Sequence, residues 1–287
     1  MSKKEIDEIS GVETTGHEWD GIKELNTPMP RWWLWTFYGT IVWAVIYCIL
    51  YPAIPLINGA TPGILGYSSR AELAQNVAAA DEAKQEFVSQ INDMEVGAVL
   101  DNSDLTRFAV AGGESAYKVY CSQCHGAGAE GAVGFPNLND DEWIWGGTID
   151  EIYATISHGV RYEADDDTRV GEMPAFGEFW ERDQIRATAH YVASLSGDEH
   201  DEAYLEEGKT LFEENCTACH GEDAGGIAEL GAPSLNDAIW LYGGGVEAIS
   251  AQINNPQHGA MPAWQERLGD ATVKQLAVYV HSLGGGQ

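Results

Sequence analysis

Apolar and polar positions fall into three regimes along the chain. From Trp32 to about Ile57 nearly every residue is apolar or aromatic, and no charge occurs between Arg31 and Arg70. Such a run predicts one helix crossing hydrocarbon, which needs about 20 residues. Trp32, Trp33, Trp35 and Tyr38 cluster at one end and Tyr51 lies near the other, as membrane–water interfaces favour. Pro52 and Pro55 mark the exit, where a helix breaks. From Ser69 to Met94 the period becomes helical: Leu73, Val77, Ala80, Phe87, Ile91 and Met94 form one stripe, interrupted by Lys84. The spacing of Ser69 and Glu72 predicts a capping box at its start. The stripe suits either an amphipathic helix on its own domain or a strut against another membrane subunit.

The third regime is a repeat with a period of about 95 residues, judged as tandem repeats are. One copy opens Gly113-Glu-Ser-Ala-Tyr117-Lys-Val-Tyr-Cys121-Ser-Gln-Cys124-His125, the other Gly208-Lys-Thr-Leu-Phe212-Glu-Glu-Asn-Cys216-Thr-Ala-Cys219-His220. Pro136, Leu138, Asn139 and Trp143 answer to Pro233, Leu235, Asn236 and Trp240. Each copy closes on an amphipathic helix, with Ile185, Ala189, Val192 and Leu195 matched by Val273, Leu276, Val280 and Leu283. A Gly one turn before an aromatic residue lets two helices cross closely. Two copies of one all-α fold are expected, over 108–198 and 199–287. Each is small for a core, so a buried macrocycle would supply missing apolar mass.

Of five Cys, Cys48 stands alone in the apolar run and reads as a small buried hydrophobe. The other four form two Cys-x-x-Cys-His strings, the c-type haem attachment pattern. Two thiols reach two vinyl groups on one edge of the ring, and the next residue sets an imidazole under the iron. Cys121, Cys124, Cys216 and Cys219 are the expected attachment points, with His125 and His220 as axial ligands. A zinc site would leave both His surplus, and a redox dithiol would sit near a βαβ pattern, which is lacking.

Past residue 94 the chain holds only two Met, each in a Met-Pro-Ala-aromatic string: Met173 to Phe176 and Met261 to Trp264. One per repeat makes Met173 and Met261 the expected sixth ligands, each for its own copy. His158 and His258 are rivals; His258 reads as a loop residue or a propionate neighbour. His/Met ligation fills both axial sites, which suits electron transfer and leaves no vacancy for substrate. A dihaem enzyme such as a peroxidase would need one displaceable ligand.

Charge adds topology. Lys3, Lys4, Lys23 and Arg31 precede the span, so the segment 1–31 should be cytoplasmic and everything from Gly59 onward periplasmic. The 31 residues before the apolar run, most of them polar, and the lack of a small-x-small site after it, argue for an uncleaved anchor. The linker and helical spacer then occupy 58–107. The formal net charge is −30. It excludes nucleic acid as a partner and suits a cationic protein partner, a salty environment or plain solubility.

The repeats resemble class I cytochromes c. In that family a proline carbonyl near Pro136 and Pro233 fixes the imidazole tautomer. The whole chain resembles the dihaem subunit (subunit III) of cbb3-type cytochrome c oxidase. The marks are Thr15-Gly16-His17-Glu18-Trp19-Asp20-Gly21-Ile22, Glu24-Leu25-Asn26 and Pro30-Arg31-Trp32-Trp33-Leu34-Trp35, then one span and two haem motifs. The resemblance implies a single-pass subunit of a bacterial inner membrane carrying two covalent haem c groups. It would accept electrons from a cytochrome c donor and pass them through a monohaem subunit to a haem–copper subunit that reduces O2, with no catalytic residue of its own. A free-standing membrane dihaem shuttle is the alternative.

Overall fold

The computed structural model describes residues 5–285 and divides into two compact units, Met1–Glu82 and Ala83–Gln287. In the first unit an antiparallel hairpin pairs β1 (Thr14–Trp19) with β2 (Ile22–Leu25). Its turn is Asp20-Gly21, both at positive φ, a strong hairpin signal that the sequence reading did not use. α1 (Arg31–Leu50) follows, 20 residues with none buried. At 1.5 Å per residue it spans about 30 Å, the thickness of a bilayer core. The helix is shorter than the expected 32–57: Tyr51 turns extended, and Pro55–Leu56 (β3) pairs with Gly59–Ala60 (β4) in a small hairpin.

α2 (Ser69–Asn92) begins where expected but is capped one residue earlier. Ser68 Oγ accepts the Ala71 N–H at 3.3 Å, and the Glu72 carboxylate is taken by Tyr67 Oη at 2.8 Å. Only the far end of its apolar stripe is covered. Leu73 and Val77 are exposed, whereas Ile91 is buried and Phe87 stacks on Phe108 at 4.9 Å.

The second unit holds two helical lobes. In chain order α3 (Ser103–Tyr120), α4 (Ser122–His125), α5 (Ile149–His158) and α6 (Arg182–Ser196) come from the first repeat. α7 (Leu205–Asn215), α8 (Thr217–His220), α9 (Val246–Asn254), α10 (Gln265–Leu268) and α11 (Asp270–His281) come from the second. Side-chain caps fix several starts: Asn102 Oδ1 accepts from Asp104 and Leu105 N–H groups, and Thr148 with Glu151 forms a capping box.

The repeats do not close on themselves. α11 packs on α3 and α5, and α6 packs on α7 and α9. One core joins Leu105, Ala109 and Tyr117 to Val273, Leu276 and Val280; the other joins Phe212, Ile249 and Ile253 to Ile185, Ala189 and Val192. The crossing glycines show the exchange directly. A Cβ on Gly113 would lie 2.1 Å from Gln275 O and 2.6 Å from Tyr279 Cβ; one on Gly208 would lie 2.1 Å from Ala187 O and 2.8 Å from Tyr191 Cβ. Each lobe therefore takes its opening helix, Cys pair and middle helix from one repeat and its closing helix from the other. The expected segments 108–198 and 199–287 are units of sequence, and the packing units cross between them.

Candidate functional site

In both lobes the opening helix runs into a short helical turn that presents Cys, Cys and His together. His125 N–H donates to Cys121 O at 3.0 Å, and His220 N–H to Cys216 O at 2.9 Å. A loop then folds back over each His. Leu138 N–H donates to Ala129 O and Leu235 N–H to Ala224 O, both at 2.8 Å. Asn139 and Asn236 side chains reach Gly128 O and Asp223 O, also at 2.8 Å. These loops bring Pro136 O to 3.0 Å from His125 Nδ1 and Pro233 O to 2.9 Å from His220 Nδ1. A carbonyl only accepts, so each Nδ1 carries the proton and each Nε2 keeps its lone pair. Burial pushes both imidazoles below their ordinary pKa, which keeps them neutral and ready to ligate.

Burial also pushes the Cys121 and Cys216 thiols up to about 11. The two Cys pairs sit on different cores, Cys121 on one and Cys216 on the other, so they do not converge on one ion as a zinc site would need.

The exchange of closing helices carries the methionines with it. Met173 lines a cavity of about 270 Å³ together with Cys216, Cys219 and His220, among apolar walls that include Phe212 and Ile253. Met261 packs on the other core, with Tyr117, Cys121 and Leu138. Each methionine thus packs on the lobe that holds the Cys pair of the other repeat, whereas the sequence reading expected it beside its own. Two thiols, a neutral imidazole and a thioether around one apolar cavity are a donor set that fits haem c.

Of the rival histidines, His258 lines the Met173 cavity and His158 does not. His158 Nδ1 sits 3.2 Å from Asp165 Oδ1. His258 lines the Met173 cavity, where its Nε2 accepts the Met173 N–H at 3.0 Å. Sequence reasoning missed Arg161, which lines the same cavity. A signal was present: 24 positions separate Ile149 from Met173, against 15 from Val246 to Met261, so the first copy has nine extra residues where Arg161 lies. The Pro136 and Pro233 loops face one another across a cleft of about 650 Å³ lined also by Asp140 and Glu142. Burial, then the nearby Asp237 carboxylate, pushes the Glu142 carboxyl up.

Comparison with known proteins agrees with these features. The model of the N-terminal domain of cytochrome oxidase-cbb3, FixP, matches residues 11–58. That of cytochrome c oxidase, cbb3-type, subunit III matches residues 108–192 and 203–280. The cbb3-type cytochrome c oxidase subunit FixPc of Rhizobium leguminosarum bv. viciae is 57% identical over 100% of both chains. The subunit CcoP of Azospirillum brasilense is 52% identical over 100% of both, and that of Cereibacter sphaeroides is 49% identical over 96% of this chain and 95% of its own. Cytochrome c domains imply haem c, and the single apolar helix α1 is consistent with a membrane anchor. The chain belongs to the subunit III family of cbb3-type cytochrome c oxidases and is an electron-transfer cytochrome c subunit of that kind.

Proposed function

We propose that the chain holds two haem c groups with crossed axial ligands and relays electrons to an O2-reducing partner. One group is attached at Cys121 and Cys124 and held by His125 and Met261. The other is attached at Cys216 and Cys219 and held by His220 and Met173. The observation that carries this reading is the exchange of the two methionine loops between lobes. Haem c, when bound, supplies a one-electron ferric/ferrous couple whose potential thioether ligation raises.

The chain's own residues do the rest. The carbonyls of Pro136 and Pro233 orient the imidazoles. Apolar walls such as Phe212, Val192 and Ile249 keep water from the metal side. His125 with Met261, and His220 with Met173, would fill both axial positions of a bound haem and leave no place for O2, so its reduction would belong to another subunit. Electrons enter from a cytochrome c donor and leave through a monohaem subunit toward a haem–copper subunit. α1 anchors the chain once in a bacterial inner membrane. The basic residues before it set 1–31 in the cytoplasm and the lobes in the periplasm.

The test removes one haem and probes the other. In a Cys121→Ser/Cys124→Ser background, Met173→Leu lowers the midpoint of the remaining haem by on the order of 0.2 V, within the range axial ligands command. Met261→Leu leaves it unchanged. The reverse outcome would return each methionine to its own repeat.

A further inference from the structure

We infer that Arg161 is a positioning residue shared by both axial methionines; this rests on the ligand reading above. Its guanidinium bridges the two methionine loops at equivalent places. Nη1 donates to Gly171 O at 2.6 Å and Nε to Gly259 O at 2.7 Å. Gly171 lies two residues before Met173, and Gly259 two residues before Met261. One side chain therefore holds the same carbonyl of both loops. A planar guanidinium presents donors in a fixed fork that can do this, whereas an ammonium is a single point.

The surroundings are built for that placement. Arg161 adopts φ +48, a left-handed conformation that costs a non-Gly residue free energy and persists only when neighbours enforce it. Its N–H donates to Arg169 O at 2.8 Å. Val160, just before it, pairs reciprocally with Met261, both bonds at 2.9 Å. The Trp145 ring lies under both Arg161 and Arg169, at 5.9 and 5.6 Å. A second link joins the loops independently: His258, from the Met261 loop, accepts the Met173 N–H. The nine extra residues of the first repeat thus supply one clamp for two ligand loops, and the second repeat has no counterpart of its own.

The test uses the full chain with its haems attached and compares Arg161→Gln, Arg161→Lys and His258→Ala. Two readouts are followed: amide hydrogen exchange over 168–176 and 256–264, and the far-red absorption band of ferric iron bound to thioether. Arg161→Gln speeds exchange at least tenfold in both segments and weakens the thioether band at both haems. Arg161→Lys keeps the charge and loses the fork, so it moves both readouts the same way. His258→Ala loosens 168–176 alone. If Arg161→Lys matches the native chain in both readouts, the residue acts only through its charge and the inference fails. It fails equally if Arg161→Gln loosens one segment or neither. Should Arg161→Gln not assemble, the Lys variant decides. Exchange reads the loops whether or not the methionines ligate, so failure here is distinct from failure of the crossed-ligand test.

Discussion

The two lobes share one plan and differ in what lies behind the closing helix. Lys274 in α11 and Arg186 in α6 occupy the same place relative to their Tyr-Val pairs, five residues before Tyr279 and Tyr191. Lys274 is buried. Its ammonium donates to Met94 O at 2.6 Å, Asn92 O at 3.0 Å and Ile91 O at 3.3 Å, and pairs with Asp270 Oδ2 at 2.6 Å. Arg186 is exposed and lies 5.0 Å over the Tyr204 ring, which also stacks on His190. The difference comes from outside the repeat. The end of α2 and the following Val96–Asp101 turn cover the His125 lobe, adding Ile91, Val96 and Val99 to its core. The His220 lobe has only the short turn Glu202–Tyr204 at that position. A basic residue at one repeat position thus becomes a buried helix clamp or a surface cation according to what covers it.

The sharpest way to break this contrast is to remove the two cations. Lys274→Ala takes the ammonium from three carbonyls and from Asp270, which keeps Tyr153 and Gln265, and leaving such covered polar groups unpaired costs about 1–3 kcal/mol. Arg186→Ala loses an exposed cation–π contact worth about 0.5–1 kcal/mol. Hydrogen exchange resolved by lobe in both variants measures this, and equal losses would erase the distinction.

Acid tests the same clamp more gently. Burial alone would raise the Asp270 carboxyl, but hydrogen bonds from Lys274, Tyr153 and Gln265 outweigh it and hold the group below its ordinary value. A depressed folded pKa gives stability that is present above the unfolded pKa, about 3.9, and is lost as pH falls through the folded value. The His125 lobe should therefore weaken below about pH 4, and Asp270→Asn should reduce that dependence, leaving the part that the Thr148 hydrogen bond gives the Glu151 carboxylate. An acid unfolding series on both proteins checks it, and superimposable curves would count against the clamp.

The smallest effect concerns the aromatic that each opening helix sets against its partner. Tyr117 Oη donates to Gly126 O at 2.9 Å, whereas Phe212 has no hydroxyl to offer. Tyr117→Phe keeps the ring and leaves that carbonyl with only the Ala129 N–H at 3.3 Å, so it should cost about 0.5–1 kcal/mol. A denaturant midpoint unchanged by the substitution would mean that water takes over the bond.

Much of the arrangement was legible because it rests on local chemistry. The span, the helix from Ser69 and the Cys-Cys-His turns follow from spacing within one segment, and the proline carbonyls from the resemblance to class I cytochromes c. The exchange of closing helices was not legible. α6 and α11 carry equivalent apolar faces, so pattern alone cannot say which opening helix each will meet. The nine surplus residues before Met173 were visible, but their meaning depends on Gly171 and Gly259 coming together in space. Lys274 was hidden for a related reason, since its carbonyl partners lie about 180 residues away.

The crossing of the two repeats has a consequence for how the protein is made. Trp143 Nε1 bonds to Gly285 O, 142 residues on, and α3 waits for α11 to complete its core. Contacts so distant in sequence are slow to form, because loop closure must precede any gain. As synthesis proceeds from the N-terminus, the first Cys pair emerges well before Met261 exists. Through that interval the face of α3 that α11 will cover stays bare and open to aggregation.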